Sequence, residues 1–122
     1  MADSDVGLSF AELRRVNALR VERWRQRSPR TANWSGADWS NAMCGEAGEA
    51  ANVVKKLRRY ECGVQGTGDL TQSELMRMLG EEVADVAIYL DLLAAYYGIS
   101  LGQAVTAKFN KVSERERFPE RL

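Results

Sequence analysis

Apolar residues recur along this chain with the helical period and not with the strand period. Phe10, Leu13, Val16, Leu19 and Trp24 follow one another at intervals of three to five through 9–27, the spacing of one side of an amphipathic helix. Trp39, Ala42, Met43, Ala50, Val53 and Leu57 do the same through 38–59, and two further helical segments are predicted over 72–97 and 101–115. No alternating β-branched run is long enough to propose a strand. The pattern therefore predicts an all-α chain, a small helical bundle of four main helices in one domain spanning 1–122.

Punctuation agrees with these limits. Ser9-Phe10-Ala11-Glu12, Thr71-Gln72-Ser73-Glu74 and Ser100-Leu101-Gly102-Gln103 are capping-box patterns that open helices. Asp38 is the expected N-cap of the second helix, and Gly98 stands where a glycine ends the third. Residues 28–37, with Pro29, Asn33, Trp34 and Gly36, and residues 61–70, with Gly63, Gly66 and Gly68, read as irregular connections. The second half of the third helix is apolar or aromatic on almost every side: Val86, Ile88, Tyr89, Leu90, Leu92, Leu93, Tyr96 and Tyr97. Three partner helices in one small subunit can hardly cover such a surface, so a homo-oligomer is expected, a homodimer or a dimer of dimers.

Composition then narrows the chemistry. The chain has 122 residues, and 17 Lys+Arg balance 17 Asp+Glu, so the global basic excess of a dedicated nucleic-acid binder is missing. It contains no histidine, which removes Ser-His-Asp and Cys-His catalysis, zincin motifs and Glu-x-x-His di-iron sites. Cys44 and Cys62 form no C-x-x-C pair and are too few for a disulfide scaffold. The first residues carry no apolar signal segment, and Asp85 and Asp91 interrupt the stretch Val83 to Ile99, so no membrane span is expected and a reducing cytoplasm fits. Neither a G-x-G-x-x-G nor a P-loop pattern occurs.

What remains is carboxylate chemistry. Glu46-x-x-Glu49 and Glu82-x-x-Asp85 each place two acids on one helical face, about 60° apart. None of the four has a Lys or Arg three or four residues away, whereas Glu81 has Arg77 one turn before it. Acids on helix faces that should pack together repel one another and lose water, so the cluster calls for a cation. With oxygen ligands alone the fitting ion is hard, Mg²⁺ or Mn²⁺ as a substitute, and Mg²⁺ is commonly completed by substrate phosphates. The bland alternative is that the acids are solvated or paired with arginines from other helices.

Flanking residues fit either reading. Gly45, Ala47, Gly48, Ala50 and Ala51 thin the second helix, leaving room for a hydrated ion or for close helix packing. Tyr89 lies one turn after Asp85 and could meet a base or sugar; Lys56, two turns after Glu49, could meet a phosphate. Trp34 and Trp39 could stack on a base or simply be core. Lys108, Asn110, Lys111 and Arg115 form either a phosphate-neutralising or an ordinary solvated face.

The segments Cys44-Gly45-Glu46-Ala47-Gly48-Glu49-Ala50, Leu79-Gly80-Glu81-Glu82-Val83-Ala84-Asp85-Val86 and Lys108-Phe109-Asn110-Lys111 resemble the MazG-like all-α nucleoside triphosphate pyrophosphohydrolases. The resemblance covers about residues 38–115. It implies a helical bundle binding Mg²⁺ through Glu46, Glu49, Glu82 and Asp85 and cleaving a nucleoside triphosphate between its α and β phosphates. By the same likeness Tyr89 and Asn110 lie near sugar or base, and Lys108 or Lys111 near the phosphates. The attacking water would be activated by the metal or by one acid, with Glu49 the candidate base. The chain departs from the family in two places: Gly45 stands where the fuller motif has a further glutamate, and the connection from Glu49 to Glu82 is longer than usual. A non-catalytic helical module, binding nucleotide or a protein partner, is the competing reading.

Overall fold

The hydroxyl of Ser9 accepts the N–H of Glu12 at 3.0 Å, and that cap opens the first helix of an all-α protein. A computed structural model describes residues 7–64 and 70–122. Its helices are α1 (Phe10–Arg27), α2 (Pro29–Ala32), α3 (Gly36–Glu61), α4 (Gln72–Tyr96) and α5 (Leu101–Glu116), and no strand occurs among the described residues. Gly66 and Gly68, part of the glycine-bearing connection, lie outside the described residues.

Three expectations need correcting. The segment 28–37 is not wholly irregular, because Pro29 starts the one-turn helix α2; proline's fixed φ and missing N–H suit the first helical position. Asp38 is not the N-cap of α3. That position is Ser35, and Asp38 sits three residues inside, where its carboxylate accepts the Ser35 N–H at 2.8 Å and the Ser35 hydroxyl at 3.1 Å. Helix α1, finally, does not bury the side marked by Phe10, Val16 and Leu19, which are 46%, 45% and 58% exposed. It buries Asn17 and Val21 instead, with Leu13, Arg14 and Trp24 half-buried.

Asp91 explains that rotation. It is completely buried, and its carboxylate accepts from Arg14 Nε at 2.8 Å and from Asn17 Nδ2 at 3.0 Å. Arg14 also donates through Nη2 to the backbone carbonyl of Ile99 at 2.7 Å. A buried acid left unpaired costs several kcal/mol, so α1 turns its polar Arg14–Asn17 pair inward and leaves apolar residues outside.

The chain forms two compact units, one of 1–33 with 91–122 and one of 34–90. The second holds α3 and most of α4, and three neighbourhoods fix how these helices run. Trp39 is near Tyr89, Glu46 near Glu82, and Val53 and Leu57 share a cluster with Leu75, against which Leu70, Met78 and Leu79 pack. Contacts that climb α3 while descending α4 make the pair antiparallel. Thr71 and Glu74 close both halves of the box that starts α4, at 2.7 and 3.1 Å. Both long helices end on a left-handed glycine, Gly63 (φ 65°) and Gly98 (φ 67°), with the following residue donating back five positions, Val64 to Arg59 at 2.9 Å and Ile99 to Ala94 at 2.8 Å. The expected caps at Thr71, Ser100 and Gly98 are all present.

Arg14→Met should cost about 3 kcal/mol of unfolding free energy, because Asp91 then stays buried without its cation. Arg15→Met, which removes only the exposed pair with Glu12, should leave the urea midpoint almost unmoved.

Candidate metal centre

Helical spacing carries Glu46 and Glu49 on α3 and Glu82 and Asp85 on α4, and the antiparallel pairing brings the two acid pairs to the same level. Glu46, Glu82 and Asp85 each present a carboxylate oxygen within 4.8 Å of the others, and all three are half-buried. Glu49, one turn further along α3 and exposed, is outside this trio, but its charge still acts on Glu82. The Glu82 carboxyl is held above its ordinary range, first by loss of water around it, then by a hydrogen bond shared with Glu46 and by the charges of Glu46, Glu49 and Asp85.

Among the described residues no Lys or Arg pairs with any of the four acids; the ion pairs are made elsewhere, as by Arg77 and Glu81 at 2.7 Å. Asp91 gives the comparison within the same chain: a buried acid kept for structural reasons has an arginine and an amide on it. The central trio has like charges instead.

The glycines next to Glu46 and Glu49 in the sequence, Gly45 and Gly48, are exposed. A side-chain carbon added at Gly45 or Gly48 would meet nothing within 4 Å, so at these two positions close helix packing is not the reason for glycine. Three half-buried oxygen donors with no nitrogen or sulfur ligand among them suit a hard, partly hydrated divalent ion.

An aromatic group lies along the same two helices. Trp34 meets Trp39 edge-on with ring centroids 4.6 Å apart, and Trp39 lies 6.2 Å from Tyr89. Trp39 is only 4% exposed and is part of the core, while Trp34 and Tyr89 are half-buried and keep open surface. From the sequence, Trp34 and Trp39 are expected together and Tyr89 apart from them. Their common placement follows from Trp39 lying two turns before Glu46 on α3, as Tyr89 lies one turn after Asp85 on α4. Lys56 is half-buried two turns beyond Glu49.

The remaining predicted substrate residues are on α5, in the other compact unit. Lys108 and Lys111 are exposed. Both ends of the Asn110 amide are engaged with the backbone of Leu122, accepting its N–H at 2.9 Å and donating to its oxygen at 3.2 Å. Their part in substrate binding rests on the order of motifs along the chain.

Comparison with known proteins gives one informative likeness. The chain is similar to dCTP pyrophosphatase 1 of Mus musculus. The two are 36% identical over 81 residues, which cover 66% of this chain and 44% of the mouse protein, so the chain spans less than half the length of that curated relative. No protein-family model and no solved structure matches the chain. No single helix among the described residues is long and apolar enough to cross a membrane.

The raised Glu82 carboxyl makes a signed prediction for the metal-free protein. The folded state binds this proton more tightly than the unfolded chain, so the stabilising effect is present below the ordinary glutamate value of 4.5 and is lost as pH rises through the raised value. Glu82→Gln should therefore melt at a higher temperature than the parent at pH 7 in EDTA, with the difference closing near pH 4. A lower melting temperature at pH 7 would mean that Glu82 is ion-paired.

Proposed function

We propose that the protein is a Mg²⁺-dependent nucleoside triphosphate pyrophosphohydrolase, releasing a nucleoside monophosphate and pyrophosphate. The observation that carries this reading is the trio Glu46, Glu82 and Asp85, drawn together with no Lys or Arg paired to it among the described residues. The likeness to a dCTP pyrophosphatase supports the same class of substrate and makes pyrimidine deoxynucleotides the first to test.

Glu46, Glu82 and Asp85 hold the metal, and Mn²⁺ can replace Mg²⁺ on such oxygen donors. Bound there, the ion supplies charge neutralisation at the phosphate oxygens while the α–β anhydride bond breaks. Glu49 is more exposed than the trio and within electrostatic reach of it, which suits a base that orients a water and takes its proton. The half-buried rings of Trp34 and Tyr89 offer an apolar wall for base or sugar, with Trp39 behind them holding their positions. Lys56, and Lys108 and Lys111 by the family likeness, answer the negative charge of the polyphosphate, and Asn110 belongs with the sugar or base on the same ground. The two free cysteines, both exposed, fit a reducing cytoplasmic setting.

Pyrophosphate release should be measured over a panel of NTPs and dNTPs, dCTP included, with Mg²⁺ or Mn²⁺. Asp85→Ala and Glu49→Ala should each lower the rate by about 100-fold or more, while Glu81→Ala, whose side chain pairs with Arg77, should retain most of it. Mg²⁺ with nucleotide should raise the melting temperature of the parent, since a ligand that binds only the folded state must stabilise it. Stabilisation without turnover on any nucleotide would support a binding module instead; the absence of both stabilisation and turnover would overturn the nucleotide reading.

A further inference from the structure

The zero net charge of the chain conceals a local concentration of arginine. Residues 20–30 carry five arginines against one acid, Glu22, and no lysine precedes Lys55. Arg20, Arg23 and Arg27 follow at steps of three and four, so they project from one side of α1. All three are exposed, as is Arg30 on α2. The acids of α1 are committed elsewhere: Glu12 pairs with Arg15 at 2.7 Å and Glu22 with Arg25 at 3.8 Å. Among the described residues no carboxylate pairs with Arg20, Arg23, Arg27 or Arg30. Arg23 and Arg27, with Gln26, line an open depression of about 370 Å³. The helix dipole favours cations in the last turn, which holds Arg25 and Arg27. It does not account for Arg20 and Arg23 further back, and cations three and four residues apart repel one another.

We propose that this side of α1 binds the phosphodiester backbone of single-stranded nucleic acid. Arginine suits that ligand better than lysine, because its planar fork donates two parallel hydrogen bonds to a phosphate. From Arg20 to Arg27 the axial rise is about 10 Å, room for about three phosphates of one strand. Arg20 adds a second feature. Its guanidinium lies over the Trp24 ring, 5.0 Å from the centroid. An exposed guanidinium fixed on an aromatic ring is a surface on which a base can stack. A single strand, unlike a duplex, leaves its bases open for that contact.

The same segment is poorly made for a lipid surface. A helix that lies on a membrane inserts apolar residues beside its cations. Between Arg20 and Arg30, Val21 is buried, Trp24 is half-buried and no large apolar side chain is exposed. Binding a single strand needs no such insertion, since it combines phosphate contacts with stacking. The arginines involved all lie on α1 and α2, within one compact unit, and the carboxylate trio takes no part.

Fluorescence anisotropy of labelled oligothymidylate and oligouridylate tests the proposal in EDTA, where the acid trio takes up no metal. Turnover plays no part, so its failure is separate from failure of the enzymatic reading. Both strands should bind. Raising salt from about 50 to about 200 mM should weaken binding about 20-fold, the dependence expected for about three phosphate contacts. Arg23→Gln/Arg27→Gln should bind about tenfold more weakly at the lower salt, with a flatter salt dependence and unchanged helical circular dichroism. Arg23→Lys/Arg27→Lys should keep the salt dependence of the parent but bind more weakly, since the fork is lost. Arg58→Gln/Arg59→Gln, which removes the same charge at exposed positions of α3, should bind about as well as the parent. Four results would each overturn it: no binding of either strand at the lower salt, a parent-like Arg23→Gln/Arg27→Gln, an equal loss in the α3 variant, or tighter binding to duplex DNA or phosphatidylserine vesicles than to the single strands.

Discussion

The unit built from α3 and α4 is governed by a repulsion. Three carboxylates meet where two helices pass, and among the described residues nothing in the chain neutralises them. Each like-charge neighbour on one helix costs a few tenths of a kcal/mol even in water, and partial loss of solvent adds to it, as the raised Glu82 carboxyl records. Chance does not keep such an arrangement cheaply. Asp91 shows how the same sequence treats an acid that serves structure: it is fully buried and held by Arg14 and Asn17. Exposed Glu81 is likewise paired with Arg77. The difference in treatment separates the trio from its neighbours more clearly than its spacing does.

A site under repulsion needs a frame that does not splay. On one side of the trio the frame is the Val53, Leu57 and Leu75 cluster with Leu70, Met78 and Leu79 around it; on the other it is the Trp34, Trp39 and Tyr89 group. Fully burying a large apolar side chain contributes about 1.5–3 kcal/mol, so either cluster can offset the local charge cost. The caps matter for the same reason. Thr71 and Glu74 satisfy each other at the start of α4, and Ser35 and Asp38 do so in part at the start of α3. These contacts fix the ends of both helices, and therefore the level at which their acids meet.

Spacing made much of this legible. Period alone separated four long helices from strands, and the Thr71, Ser100 and Gly98 boundaries followed from capping chemistry that needs only neighbouring residues. The four acids were visible because their local partners were missing. What spacing could not supply was register between helices: that Glu46 meets Glu82 while Glu49 lies outside the trio depends on how α3 slides along α4. The same limit explains the error on α1. Phe10, Val16 and Leu19 look like a core stripe until a buried acid from a distant part of the chain calls Asn17 and Arg14 inward. At Asp38 two local rules competed, and Ser35 prevailed because its backbone N–H and hydroxyl both reach the aspartate three residues on.

Helix α4 puts packing and chemistry on one side. Leu75, Glu82 and Tyr89 are seven residues apart and share a face, which meets Val53 and Leu57, then Glu46, then Trp39 of α3. The acids therefore occupy the middle of a packed face, with apolar contacts before and after them. Met76, Val83 and Leu90 lie on another side and are open, which is why the hydrophobicity of α4 reads as nearly continuous along the sequence although only part of it is packed. Because the carboxylates cannot separate without parting the apolar contacts on either side of them, the fold holds the repulsion in place, and the charge is relieved by what the half-buried oxygens can take up, a proton at Glu82 or a partly hydrated divalent ion.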